Sequence, residues 1–254
     1  MVGLQTVAVA FSMFSRIPMP QFAWDSRNMR YALCAFPLIG AVIWGAVALW
    51  LYLCELLALP DLLRAAVATV IPVWITGGIH LDGYADTQDA LASFSSPEKR
   101  QEILKDPHLG AFAAIRLCCY FLLTLGLWSA LGHPAWWMGL GFLLSRSLSG
   151  LAVAAFPLAN STGLAHTFST AAHRGRVKLC LGIVSLLLAV LLCLGGLCGI
   201  AMTAVAIAVF IYYYLMANHK FGGLSGDLAG WFLQTCELWM LLAAVVTQTL
   251  EVFL

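Results

Sequence analysis

Seven stretches of about twenty apolar residues follow one another along this chain, and no other feature limits its fold as strongly. They run over roughly 33–59, 62–81, 111–131, 135–158, 177–197, 199–217 and 230–252. In hydrocarbon a backbone must satisfy its N–H and C=O groups within its own segment, so runs of this length are predicted to be helices that cross a bilayer. The alternative is one large soluble core. It would need a charged exterior, and with 62% hydrophobic and 10% charged residues there is too little charge to cover one. The expected fold class is therefore all-α: a polytopic transmembrane helical bundle of about seven spans, read as a single integral-membrane domain over 1–254. Residues 1–14 are apolar but short, without a basic start or a small-residue cleavage site, which predicts an interfacial or re-entrant helix before the first span. The turns expected between spans include Pro60-Asp61, Gly132-His-Pro134 and the Gly195/Gly196/Gly199 region, where the fifth and sixth spans could be bent. The eight cysteines fall nearly all within apolar runs, lack metal-ligand spacing, and are read as packing residues.

Successive connections must alternate between the two sides of a membrane, which allows a test by charge. The N-terminal segment and the second, fourth and sixth connections hold Arg16, Arg27, Arg30, Lys99, Arg100, Lys105, Arg116, Arg174, Arg176, Lys178 and Lys220. The opposite side holds Arg64, and Arg146 stays inside the fourth span. This asymmetry is the positive-inside pattern, so the basic side is expected to be cytoplasmic and the C-terminus outside. The long polar connections, 82–110, 159–176 and 218–229, lie on the same basic side, as do Asp82, Asp86, Asp89 and Asp227.

The richest of these regions begins at Thr76-Gly-Gly-Ile-His-Leu-Asp-Gly-Tyr-Ala-Asp-Thr-Gln-Asp-Ala90. Spacings of four and three put Asp82, Asp86 and Asp89 on one helix face, where like charges repel unless a cation sits among them. Oxygen-only donors favour Mg²⁺ or Mn²⁺ over zinc, while the bland reading is a solvated acidic helix start. Ser96-Pro-Glu-Lys-Arg-Gln-Glu102 reads as a capped surface helix, and Lys105 with His108 follows it. Cations beside an acidic metal cluster suit a phosphate or pyrophosphate, although Lys99 and Arg100 also read as simple inside-flank charge.

A second constellation, Phe221-Gly-Gly-Leu-Ser-Gly-Asp-Leu-Ala-Gly230, precedes the last span. Its glycines, Gly222 and Gly223 among them, suggest a tight turn presenting Ser225 and Asp227, with Asp227 able to complete the shell begun by Asp82 and Asp86. Arg146 and Glu237 lie inside apolar helices, where charge is costly unless paired or facing a polar cavity. They either pair structurally or leave Arg146 to reach an anionic substrate. His166, His173 and His219 read as solvent-facing loop residues. The sequence has no serine-hydrolase, Walker, zinc-protease or dinucleotide fingerprint, and no basic–aromatic pattern for nucleic acid.

The sequence resembles the cobalamin synthase family, the adenosylcobinamide-GDP ribazoletransferases. The resemblance rests on Ser15-Arg-Ile-Pro-Met-Pro20, Phe36-Pro-Leu-Ile-Gly40, the 76–89 stretch, Ile103-Leu-Lys-Asp-Pro-His-Leu-Gly110, Ser145-Arg146, and 222–230 with Glu237 behind it. It implies a Mg²⁺-dependent phosphotransferase of late cobalamin biosynthesis, multi-pass in the bacterial inner membrane with its site on the cytoplasmic face. The enzyme would join adenosylcobinamide-GDP to α-ribazole or α-ribazole 5′-phosphate, release GMP, bind no nucleic acid, and be compatible with a homo-oligomer. On that basis Asp82, Asp86 and Asp227 are the expected metal ligands. Asp89 or His80 would take the proton of the ribazole 5′-hydroxyl, with Asp89 alternatively a second-site metal ligand. Asp86 would act with them, while Lys105, His108, Arg146, Gly222, Gly223 and Ser225 would bind substrate. The chain departs from the family where Asp106-Pro-His108 replaces Asp-Ser-Arg, and at Tyr84 and Ala90. A CDP-alcohol-type phosphotransferase and a small-solute transporter are the competing readings.

Overall fold

The computed structural model describes residues 2–132, 136–160 and 162–251. Among them the secondary structure is helical, with one isolated β-bridge, Leu158 to Leu224. Helix α1 (Val2–Phe14) is followed by the single-turn α2 (Ser26–Met29) and a 3₁₀ turn, Ala32–Ala35. The spans come next: α3 (Phe36–Leu56), α4 (Asp61–Thr76), α7 (Ala111–Ala130), α8 (Trp136–Ala155), α10 (Arg174–Cys193), α11 (Gly196–Phe221) and α12 (Gly226–Glu251). Between them lie α5 (Ile79–Ala92), α6 (Pro97–Ile103) and α9 (Leu164–Ala171). Among the described residues six helices are long and apolar enough to cross a membrane, and the bent pair α4–α5 makes a seventh crossing if the two halves act as one span.

The pattern of burial is that of a bundle in lipid. Helix α8 is central and mostly buried, packing against α3, α10 and α12. Helices α7 and α10 instead turn Ile115, Leu122, Leu123, Leu179, Leu186 and Leu187 outward. Such apolar faces need no protein partner when hydrocarbon surrounds them. Helix α1 is not free on the surface, since Val9 and Ala10 are 1% and 0% exposed against the following elements.

Three sequence expectations change. The second span does not continue to residue 81. Gly77 and Gly78 both take left-handed φ values, +69° and +84°, which a side chain would oppose, and the chain turns through 98° between α4 and α5. Arg16 lays its aliphatic stem over Gly77, where a Cβ would stand, and donates its backbone N–H to Ile75 O at 2.8 Å. The connection 82–110 carries the two helices expected there, the acidic one as α5 and the capped surface one as α6. In the connection 159–176, α9 forms where a polar loop was expected. The fifth and sixth spans are continuous helices joined at Leu194-Gly195. The predicted turn Gly132-His133-Pro134 lies outside the described residues beyond Gly132.

Candidate active site

The site is made where α5 meets α12. Gly83 on α5 and Gly230 on α12 remove the Cβ atoms that would hold the helices apart. A Cβ on Gly83 would stand 2.7 Å from Asp227 Cα and 2.8 Å from Asp227 O, and one on Gly230 would stand 2.7 Å from His80 O. Small residues let backbones approach this closely, and the approach sets Asp82 and Asp86 beside Asp227. Asp82, Asp227 and Asp89 are all near enough to Asp86 to oppose its charge, with Asp82 the strongest of the three. Asp82 is exposed, whereas Asp86 and Asp227 are half-buried.

Two cavities meet at the start of α12 and share Ala165, Gly226 and Asp227. The first, about 230 Å³, is walled by aromatic and aliphatic side chains and also touches His80 and Asp82. The second, about 340 Å³, is polar and is lined by Gln101, Lys105, Asn160, His166 and Ser225. Ser225 N-caps α12, its Oγ accepting the Leu228 N–H at 3.3 Å and lying 3.5 Å from Asp227 Oδ2. A third cavity, about 500 Å³, is lined by Trp44, Tyr52, Glu55 and Arg64 and has no lining residue in common with these two.

Helix α6 closes the polar side. Ser96 caps it by accepting the Lys99 N–H. Gln101 donates to Phe221 O at 2.8 Å, Arg100 donates to Lys220 O at 3.2 Å, and Asn160 donates to Gln101 Oε1 at 2.8 Å. These bonds satisfy carbonyls at the end of α11 and fix Lys105 over the second cavity.

The structure thus brings together Asp82, Asp86, Asp227, Lys105, Ser225 and His80. It sets other expected residues elsewhere. Gly222 and Gly223 act on the backbone: both have positive φ, and a Cβ on Gly223 would strike Ala159 N at 2.5 Å. Their turn is pinned by Leu224 N–H to Pro157 O and Ala159 N–H to Leu224 O, at 2.8 and 3.0 Å. His108 is largely exposed and holds Asp106 through Nδ1 at 2.7 Å. The His108 backbone N–H, and then its ring, hold the Asp106 carboxyl below the usual carboxylate range. Asp89 accepts the Ala113 N–H at 3.3 Å and packs on Gly110, so its carboxylate serves the N-terminus of α7.

Arg146 is 1% exposed and donates to Glu237 Oε1 at 2.6 Å and to Phe142 O at 3.0 Å. Ser145 Oγ donates to the same Glu237 oxygen at 2.8 Å. Of the two roles open to Arg146, the structure displays the ion pair. Arg146 shares a helix face with the cavity residues Ser149, Gly150 and Val153 and stands one turn deeper. Sequence reasoning passed over the lining residues Asn160, Ala165 and Phe168, and it read His166 as a solvent-facing loop residue, whereas His166 lies on α9 and lines the polar cavity. Helix α9 is eight residues long and rich in Thr and Ser, so its helical signal is weak.

The donor chemistry at Asp82, Asp86 and Asp227 fits a hard divalent cation: oxygen only, mutually repelling, and next to a polar cavity. Among the described residues no three His, Cys, Asp or Glu side chains are gathered closely enough to hold a metal ion by themselves.

The cobalamin-5-phosphate synthase family profile matches residues 6–245. An adenosylcobinamide-GDP ribazoletransferase of Lachnoclostridium phytofermentans is 45% identical over 100% of this chain and 98% of its own length. Proteins of the same name from Desulfitobacterium hafniense and Clostridium perfringens are 34% and 30% identical, covering 96% and 92% of this chain and 98% and 94% of theirs. No solved structure is significantly similar to it.

Proposed function

The chain belongs to the cobalamin-5-phosphate synthase family, and from that premise we infer that it is an adenosylcobinamide-GDP ribazoletransferase. It transfers the adenosylcobinamide-phosphate moiety of adenosylcobinamide-GDP to α-ribazole or α-ribazole 5′-phosphate and releases GMP. The observation that carries this reading is the full-length similarity, combined with carboxylates and a basic polar cavity gathered at one end of the bundle.

An oxygen of the acceptor ribose bonds to the phosphorus that bears the cobinamide, the bond from that phosphorus to the bridging oxygen breaks, and the bridging oxygen leaves with GMP. Both acceptor forms must use the same oxygen. An acceptor already phosphorylated at O5′ cannot attack through it, so the nucleophile is a secondary ring hydroxyl and the 5′-hydroxyl assignment gives way. Bound Mg²⁺ would neutralise charge on the pyrophosphate and on departing GMP. Asp82, Asp86 and Asp227 would hold it, and Lys105 would meet a phosphate from the second cavity. Ser225 orients Asp227 through the α12 cap. Asp86, surrounded by other carboxylates, is the group best suited to receive the hydroxyl proton when it is not itself a ligand. The eleven basic residues on one side support a cytoplasmic site in a bacterial inner membrane.

The test is GMP release by purified protein with Mg²⁺ and adenosylcobinamide-GDP. GMP is expected only when α-ribazole or its phosphate is present and only until the metal is chelated. Release without an acceptor, or undiminished release after chelation, would refute the reading.

A further inference from the structure

The smaller of the two cavities at the start of α12 ends at Asp82 and Asp227, but its remaining walls are unlike those of a phosphate site. Three phenylalanines meet there: the Phe14 ring centroid lies 4.5 Å from Phe36 and 5.2 Å from Phe168. Leu33, Val153 and Leu233 supply aliphatic walls. Against the phenylalanines stands His80, with ring centroids 5.6 Å from Phe36 and 6.4 Å from Phe14. His80 is 6% exposed, and its Nε2 is buried without a hydrogen-bond partner. A buried polar nitrogen left unpaired is costly and rare, and beside a cavity it is a group for which a ligand supplies the partner.

The three substrate parts differ in what they ask of such a slot. Guanine presents several donors and acceptors along its edge, most of which would face aliphatic carbon here and remain unpaired. A corrin macrocycle is far larger than a cavity of about 230 Å³. A benzimidazole is a flat, fused, two-ring aromatic whose one unsubstituted ring nitrogen accepts a single hydrogen bond. Its faces suit offset or edge contacts with Phe14, Phe36 and Phe168, and its nitrogen suits an Nε2–H donor. A base seated there leaves its ribose at the end of the cavity bounded by Asp82 and Asp227, next to the polar cavity that Lys105 lines.

We propose that the cavity between Phe14, Phe36, Phe168 and His80 is the seat of the acceptor's benzimidazole base, with His80 as the specificity-determining donor to its free ring nitrogen. This rests on the ribazoletransferase reading. It gives His80 a recognition role in place of the base role weighed from sequence, because a buried ring held among phenylalanines faces the heterocycle rather than the reacting hydroxyl. Discrimination against an acceptor lacking that nitrogen follows from the donor it would leave unpaired.

The probe is the pair formed by α-ribazole and the matching indole riboside, in which C–H replaces the free nitrogen. Wild-type protein is expected to favour α-ribazole in kcat/KM by about tenfold or more. In His80→Phe that preference should fall to near unity while KM for adenosylcobinamide-GDP is unchanged. Val153→Phe, which fills the cavity without touching His80 chemistry, should raise KM for α-ribazole about tenfold, should raise it less for a one-ring imidazole riboside, and should spare the other substrate. Full discrimination retained in His80→Phe, or a Val153→Phe effect falling on adenosylcobinamide-GDP instead, would overturn the proposal. Wild-type protein releasing no GMP with any acceptor would overturn the ribazoletransferase reading itself, and the proposal with it.

Discussion

Substituting Gly83 by Ala puts a methyl group into the contact that holds the two halves of the site together. The new Cβ would lie 2.7 Å from Asp227 Cα, whereas carbon atoms pack comfortably at about 3.5–4.0 Å. The obstacle is backbone rather than a movable side chain, so α5 and α12 must separate by about 1 Å. Overpacking of this kind costs about 1–3 kcal/mol, and for a chain of this size each kcal/mol lowers the melting temperature by about 2–4 °C. The larger effect is on geometry. Mg²⁺ needs its oxygens at about 2.0–2.1 Å, and a misplacement of about 1 Å at a reacting centre costs about 100-fold in rate. GMP release is therefore expected to drop about 100-fold, with the Mg²⁺ concentration for half-maximal activity rising, while the protein stays folded in detergent. Gly182→Ala serves as control, because a Cβ there meets nothing within 4 Å; it should leave turnover unchanged and raise stability slightly. Wild-type turnover at limiting Mg²⁺ in Gly83→Ala, with an unshifted melting curve, would show that the contact does not set the positions of Asp82, Asp86 and Asp227.

Asp82→Asn and Asp227→Asn should each abolish most GMP release at limiting Mg²⁺, read with saturating substrates. Asp89→Asn keeps an oxygen for the Ala113 N–H and should retain most activity, while Asp89→Ala should lower the melting temperature through loss of about 1 kcal/mol of helix capping; an inactive, fully stable Asp89→Asn would restore that residue to the chemistry. Arg146→Met strands Glu237 and should destabilise by about 3–5 kcal/mol in thermal melts, with Arg146→Met/Glu237→Leu recovering most of the loss; a double variant that is stable yet inactive would assign Arg146 to substrate. His108→Ala should change KM for adenosylcobinamide-GDP by less than about twofold, since an exposed pair such as His108–Asp106 contributes little.

What the sequence made legible follows from periodicity. Long apolar runs give spans whatever their partners, and spacings of four and three place Asp82, Asp86 and Asp89 on one helix without knowledge of its neighbours. The choice between two roles for one side chain was not legible, because a neighbour decides it. Arg146 reads as a substrate contact or an ion-pair partner until Glu237 is found 2.6 Å away. Asp89 reads as a general base or a second-site metal ligand until Gly110 and Ala113 bring the start of α7 against it. His80 follows two glycines in a polar stretch, and only the packing of Phe14 and Phe36 shows that it is buried.

The break at Gly77-Gly78 joins these particulars. Were α4 and α5 one straight helix, its thirty-odd residues would rise about 1.5 Å each and outrun a hydrocarbon core of about 30 Å. The aspartates would then stand in water, away from the other helices. The turn of 98° instead lays α5 against α7 and α12, so that Tyr84, Thr87 and Ala90 are buried while Asp82 remains exposed. One face of a short helix thereby joins the bundle's core while Asp82 lines the aromatic-walled cavity. The acidic face needs that support, since like charges four residues apart weaken an isolated helix. Burial of the opposite face against α12, at Gly83 and Gly230, offsets the repulsion and fixes the carboxylates in place.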